Sequence, residues 1–182
     1  MRRLVAVTTV LLVAAGAFFV VNEASPPWYE RIRYPLRYQE IVRGHARNYG
    51  IDPALLAAVI YQESKFDARA RSGSGARGLM QLTPDTARGI AIRTGGSAFR
   101  TGDLDDPEIN VRYGCWYLRN LYRKYGNWKL VLAAYNAGQG NVDRWRTRGQ
   151  EIQFAETRAY VQRVEELRAI YHDAWRDELG YS

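Results

Sequence analysis

The sequence predicts an all-α domain, on three observations. Helix-start pairs recur: Asp52-Pro53, Thr83-Pro84 and Asp106-Pro107 each set a capping side chain before a proline at the first helical position. Apolar residues return at intervals of three and four, as in Val161, Val164, Leu167, Tyr171 and Trp175. No stretch alternates apolar and polar residues long enough to make a half-buried strand, and no internal repeat is present.

The elements follow in chain order. Met1-Arg2-Arg3 precedes an apolar run over residues 4–21, broken only by Thr8, Thr9 and Gly16. At helical rise this run is roughly 27 Å long, close to the thickness of bilayer hydrocarbon. It exceeds the usual apolar core of a signal peptide, and no small-residue cleavage pattern follows it. Residues 1–24 are therefore expected to be a single-pass signal anchor, its arginines cytoplasmic and the remaining chain extracytoplasmic. A cleaved signal peptide releasing a secreted protein is the alternative; either reading exports the domain. Residues 25–37, with Pro26-Pro27, Trp28, Tyr29 and Pro35, read as a linker whose aromatic pair suits a membrane interface. The domain proper is expected over residues 38–182, long enough to bury a full core without staples.

Within it a helix is expected over residues 38–49, closed by Gly50, then one opened by Asp52-Pro53 and ending near Ser64. A glycine-rich loop follows, Ser72-Gly73-Ser74-Gly75-Ala76-Arg77-Gly78, and Thr83-Pro84 opens the next helix. Residues 93–106 read as a polar connection, and Asp106-Pro107 starts a long helix to Tyr125, stopped by Gly126. A helix over residues 128–136, a short one over 141–146 and a final one over 155–179 complete the chain.

Composition removes several chemistries. The single cysteine, Cys115, allows no intramolecular disulfide and no thiolate cluster, and reads as a packed core thiol. His45 and His172 lack metal-ligand spacing and no phosphate-binding Gly-Lys loop occurs, so neither a metal nor a cofactor is expected. The net charge of +7 favours a polyanionic partner or surface, but the arginines are dispersed, and export argues against nucleic acid.

Glu63 is the most informative residue. It ends an apolar helical stretch, with Leu56, Val59 and Ile60 at helical spacing before it, so its carboxyl is expected at the rim of the core. Burial and the negative end of the helix dipole both disfavour its charged form, which raises its pKa. A carboxylic acid still protonated near neutrality is what general-acid cleavage of a glycosidic bond requires. Asp67, Asp85 and Asp103 read as turn or helix-start residues rather than as a second catalytic carboxylate.

Four segments extend this reading: Gln62-Glu63-Ser64; Ser72 with Gly75-Ala76-Arg77-Gly78-Leu79-Met80-Gln81-Leu82-Thr83-Pro84; Ala134-Tyr135-Asn136-Ala137-Gly138; and Phe154-Ala155-Glu156-Thr157-Arg158-Ala159-Tyr160-Val161. In this order and spacing they closely resemble the catalytic domain of the soluble-type (SLT, family 1) lytic transglycosylases, over residues 38–176. The resemblance implies a goose-lysozyme-like helical fold with a substrate cleft. It also implies a carbon–oxygen lyase that cleaves the β-1,4 bond between N-acetylmuramic acid and N-acetylglucosamine in peptidoglycan. Glu63 would act as acid and then base, leaving a 1,6-anhydro end with no second carboxylate required. Ser72 would lie near the substrate N-acetyl group, or simply bond loop backbone. Met80 and Gln81 would line the cleft, Met80 being otherwise a core residue. Tyr135 would border the cleaved bond, and Asn136 would sit beside it or cap the helix end. Glu156 would support the cleft, and Tyr160 would face the groove or pack in the core. The partners implied are glycan strands of peptidoglycan and a membrane at the N-terminus, with cell-wall or secretion machinery left open. A hydrolytic muramidase on the same fold and a non-catalytic wall-binding scaffold are the competing readings.

Overall fold

The structure, a computed structural model, describes Gly16 and residues 26–96 and 98–181. The expected signal anchor otherwise lies outside the described residues. Among those described, no helix is long and apolar enough to cross a membrane. The chain divides into two units, residues 1–35 and 36–182. In the first, the segment expected to be a linker carries a short helix, α1 (Pro27–Arg33), with Pro27 at its first position. Trp28 and Ile32, one turn apart, are exposed on it.

The second unit is helical. Its elements are α2 (Gln39–Tyr49), α3 (Pro53–Ser64), α4 (Pro84–Thr94), a 3-10 turn (Thr101–Asp105), α5 (Pro107–Tyr125), α6 (Trp128–Ala137), α7 (Gln139–Thr147), α8 (Ala155–Ala174) and α9 (Arg176–Leu179). The proline-marked starts hold: Asp52 accepts from the Ala54 amide, Thr83 from that of Thr86 and Asp106 from that of Ile109. Asn127 caps α6 in the same way through the Leu130 amide. The terminal helix departs from expectation. It breaks at Trp175, whose φ and ψ of −123° and 30° are not helical, and a last turn follows as α9. The polar connection before α5 winds into the 3-10 turn, where the Asp103 carboxylate accepts from the Arg100 amide.

α3 is the central helix. Ala54, Leu55, Leu56, Ala57, Ala58, Val59 and Ile60 are all fully buried. It packs most extensively on α8 and also on α2, while α2 rests on α5 and α6 bridges α5 and α8. Being apolar on every side, α3 is enclosed rather than amphipathic. Its start is tied to the end of the chain. The Ala54 amide donates to the Tyr181 hydroxyl, that hydroxyl contacts Asp52, and Arg168 pairs with Asp52 at 2.5 Å. A smaller core of Leu82, Ala87, Ile90, Ala91, Leu104 and Tyr113 joins α4, the 3-10 turn and α5. Cys115 is fully buried, and burial pushes its thiol pKa up, in keeping with a packed core thiol.

Candidate active site

Glu63 sits one residue from the end of α3, and the backbone turns sharply there: Lys65 and Phe66 are both left-handed, with φ of 54° and 62°. Two non-glycine residues in this region persist only when their surroundings hold them. Here the Phe66 ring is buried to 1 % exposure. Ser64 Oγ donates to the carbonyls of Ile60 (3.1 Å) and Leu79 (2.8 Å), bolting the helix end to the glycine-rich loop.

The Glu63 carboxyl is half-buried at the wall of a groove of about 470 Å³, lined by Gln62, Glu63, Asn136, Glu156, Ala159, Tyr160 and Arg163. Loss of hydration pushes its pKa up to about 7, against the lowering effect of a hydrogen bond donated by the Tyr160 hydroxyl to Glu63 Oε1 at 2.6 Å. Tyr160 comes from α8, 97 residues away in sequence, and is 7 % exposed. Its own pKa is driven well above the ordinary value, first by burial and then by the Glu63 charge, so it remains a donor throughout the neutral range.

Tyr135, at the end of α6, donates from its hydroxyl to the Met80 carbonyl at 2.6 Å rather than to Glu63. Burial and the Glu63 charge raise its pKa as well. Its ring lies 5.5 Å from that of Tyr117 on α5. Tyr117, with Trp116 beside it, borders a second cavity of about 430 Å³ that also includes Thr86, Arg93, Asn120 and Gln139. No local motif marks Tyr117. Only its position on the same side of α5 as other aromatics marks it in sequence.

The loop between α3 and α4 is held by side chains. Gly78 has a φ of 77°, and a Cβ there would strike the Asn110 side chain and the Leu104 carbonyl. Asn110 is fully buried, accepts from the Met80 amide and donates to the carbonyls of Arg77 and Leu104. It fixes the loop to α5 through bonds to segments distant in sequence, which no local motif marks. Arg71 and Arg77 converge on Asp105. Partial burial opposes the Asp105 charge, but the Arg77 hydrogen bond and both arginine charges hold its carboxyl below the usual range.

The other expected site residues fall into two groups. Asn136, Glu156 and Tyr160 meet Glu63 at the groove. Asn136 does not cap α6; its Oδ1 accepts from Thr157 Oγ1 at 2.8 Å, tying α6 to α8. Glu156 is exposed in the first turn of α8, where a negative charge suits the helix N-terminus. By contrast, Ser72, Met80 and Gln81 have side chains engaged within the protein. Ser72 Oγ accepts from the Ala76 amide and contacts Ser74. The Met80 side chain is fully buried, packed where a Cβ on Gly114 would lie, so only its carbonyl takes part at the site. Gln81, left-handed at a φ of 46°, donates its amide to the carbonyls of Ala70 and Gly78. Among the described residues no group of acidic, histidine or cysteine side chains is arranged to hold a metal ion.

The chain is similar to known proteins. The model of the Transglycosylase SLT domain matches residues 40–157. The soluble lytic murein transglycosylase of Salmonella typhimurium is 34% identical over 151 residues, covering 76% of this chain and 23% of that protein. The membrane-bound lytic murein transglycosylase F of Alcanivorax borkumensis is 32% identical over 157 residues, 82% of this chain and 31% of that protein. In structure, the 70 kDa soluble lytic transglycosylase of Escherichia coli aligns with a TM-score of 0.76 at 31% identity, over 83% of this chain and 26% of that one. The all-helical, lysozyme-like fold is common to both, and the chain spans between 23% and 31% of the length of these relatives.

Proposed function

The chain belongs to the Transglycosylase SLT domain family, and from that premise we propose that it is a peptidoglycan lytic transglycosylase in which Glu63 is acid and then base. The bond cleaved is the β-1,4 link between N-acetylmuramic acid and N-acetylglucosamine. The observation that carries this reading is the state of Glu63: a half-buried carboxyl at a groove wall, with a pKa near neutrality and a fixed phenol donor on one oxygen.

With a pKa of about 7, Glu63 is partly protonated at neutral pH and can give its proton to the glycosidic oxygen as the C1–O bond breaks. The substrate N-acetyl oxygen supports C1 as the leaving sugar departs, the substrate-assisted route that dispenses with a second carboxylate. Glu63, now a carboxylate, takes the proton from the muramoyl C6 hydroxyl, whose oxygen closes on C1. The products are a 1,6-anhydro sugar and a free 4-hydroxyl; Glu63 ends protonated and no water is consumed. The Tyr160 hydrogen bond favours the carboxylate form, so it stabilises the state between the two steps. Glu156 lines the same groove but is exposed, and it serves the cleft rather than the chemistry. Tyr135, held by the Met80 carbonyl, packs against Tyr117 behind the site, and Asn136 offers its amide to sugar substituents. Ser72, Met80 and Gln81 act through the loop they stabilise.

Glu63→Gln is expected to lower release of soluble muropeptides from purified peptidoglycan by about 10²–10⁴-fold. A variant within tenfold of the wild type would remove Glu63 from the mechanism.

The same reading assigns residues 1–24 to a membrane anchor presenting the domain outside the cytoplasm to glycan strands, with no nucleic-acid partner. The length of the apolar run supports it, as does the existence of a membrane-bound relative. The full chain should stay with membranes through alkaline carbonate washing; a shortened soluble form would point instead to signal cleavage.

A further inference from the structure

The chemistry above makes no use of Arg163. On α8, Glu156, Ala159, Tyr160 and Arg163 fall at i, i+3, i+4 and i+7, one face of the helix, and all four line the groove. The groove is therefore polarised along its length. An acid stands at the start of α8, a cation stands two turns on, and the Tyr160–Glu63 bond lies between them.

Lys65, on the left-handed turn that ends α3, holds its ammonium 4.2 Å over the Tyr61 ring. Burial first, and the Arg163 charge second, lower its pKa, so the two cations are within electrostatic reach of each other. Arg163 pairs with Glu166 at 3.2 Å, each side chain partly in solvent (37% and 47%), and pairs of that kind bind weakly. A guanidinium has five donors in a fork that matches a carboxylate, so a ligand carboxylate can add to this arrangement.

In intact peptidoglycan the sugars are neutral N-acetylated rings and the lactyl carboxyl is tied up in an amide. Negative charge next to the glycan is then carried by the free carboxylates of the peptide stem. We propose that the Arg163 end of the groove is a subsite for a stem carboxylate, and that Arg163 makes the protein favour strands whose stem carboxylates are free. The amides of Gln62 and Asn136, which line the same groove, suit the peptide bonds of such a stem. This proposal rests on the lytic transglycosylase reading of Glu63.

The test compares kcat/KM of the full chain on peptide-bearing glycan strands with free stem carboxylates and on the same strands chemically amidated. Wild-type protein is expected to prefer the free form by about tenfold, mainly through KM, the scale of one partly screened charge-assisted contact. Arg163→Gln should bring the ratio close to one, and Arg163→Lys should restore part of it; unchanged thermal midpoints would show both variants folded. Equal wild-type rates on the two substrates would overturn the proposal alone. So would an Arg163→Gln variant that loses activity equally on both, which is the mark of a structural role. Wild-type protein that cleaves neither would overturn the underlying reading and this subsite with it.

Discussion

Tyr160→Phe isolates the hydrogen bond that tunes Glu63. The substitution keeps the buried ring and removes only the hydroxyl that donates to Glu63 Oε1 at 2.6 Å. A hydrogen bond to a charged group contributes about 1.5–3 kcal/mol, and one pKa unit corresponds to about 1.36 kcal/mol. Because the groove is open, water replaces part of the lost bond, so the lower end applies and the Glu63 pKa should rise by about one unit. Starting from about 7, the alkaline limb of kcat/KM should move up by that amount. At pH 8 the wild type would keep about a tenth of its acid form and the variant about half. The plateau rate should fall in the same experiment, since the carboxylate formed on proton transfer has lost its stabilising donor. The assay is release of soluble muropeptides from peptidoglycan across pH 5–9, with buffer composition and ionic strength held constant. A midpoint unchanged or displaced to lower pH would rule out this role for the Tyr160 hydroxyl.

Other consequences follow from the same contacts. Glu63 has a folded-state pKa raised from 4.5 to about 7, so the stability present below the unfolded value is lost as pH rises through the folded one. Glu63→Gln should therefore be more stable than wild type at pH 8, by about 1–3 kcal/mol after allowance for partial exposure, with the gap closing near pH 4; denaturant titration at both pH values checks it. Asn110→Ala strands the Met80 amide and the carbonyls of Arg77 and Leu104, and should cost about 2–4 kcal/mol, read as a drop in thermal midpoint. Gly78→Ala combines an unfavourable backbone conformation with a collision against Asn110 and Leu104, and should destabilise by at least about 2 kcal/mol while lowering activity through the displaced loop.

The helix starts were legible because Asp-Pro and Thr-Pro pairs announce themselves locally, and all three fall within a residue of expectation. Glu63 was legible for a different reason: a lone carboxylate closing an apolar helix must be buried in part, and its raised pKa follows. What sequence could not supply was long-range. Nothing local ties Tyr160 to Glu63 across 97 residues, and its spacing on α8 fitted core packing equally well. In the same way Met80 packs where Gly114 leaves room, and Asn110 carries three hydrogen bonds to segments distant in sequence. The spacing of Leu56, Val59 and Ile60 marks one buried face of α3, but the helix is enclosed on all sides, so periodicity does not tell which neighbours surround it. The break at Trp175 and the helix Pro27–Arg33 lie where local signals were weak, without glycine at the break and with prolines suggesting only a linker.

The most direct test of the account is the mass of the muropeptides that the protein releases from peptidoglycan, with Glu63→Gln as control. The account predicts products one water lighter than reducing muropeptides, the mark of a 1,6-anhydro end, and their loss in the variant. Products with reducing ends would contradict it, because they require a water held at C1 and a hydrolytic muramidase on the same fold.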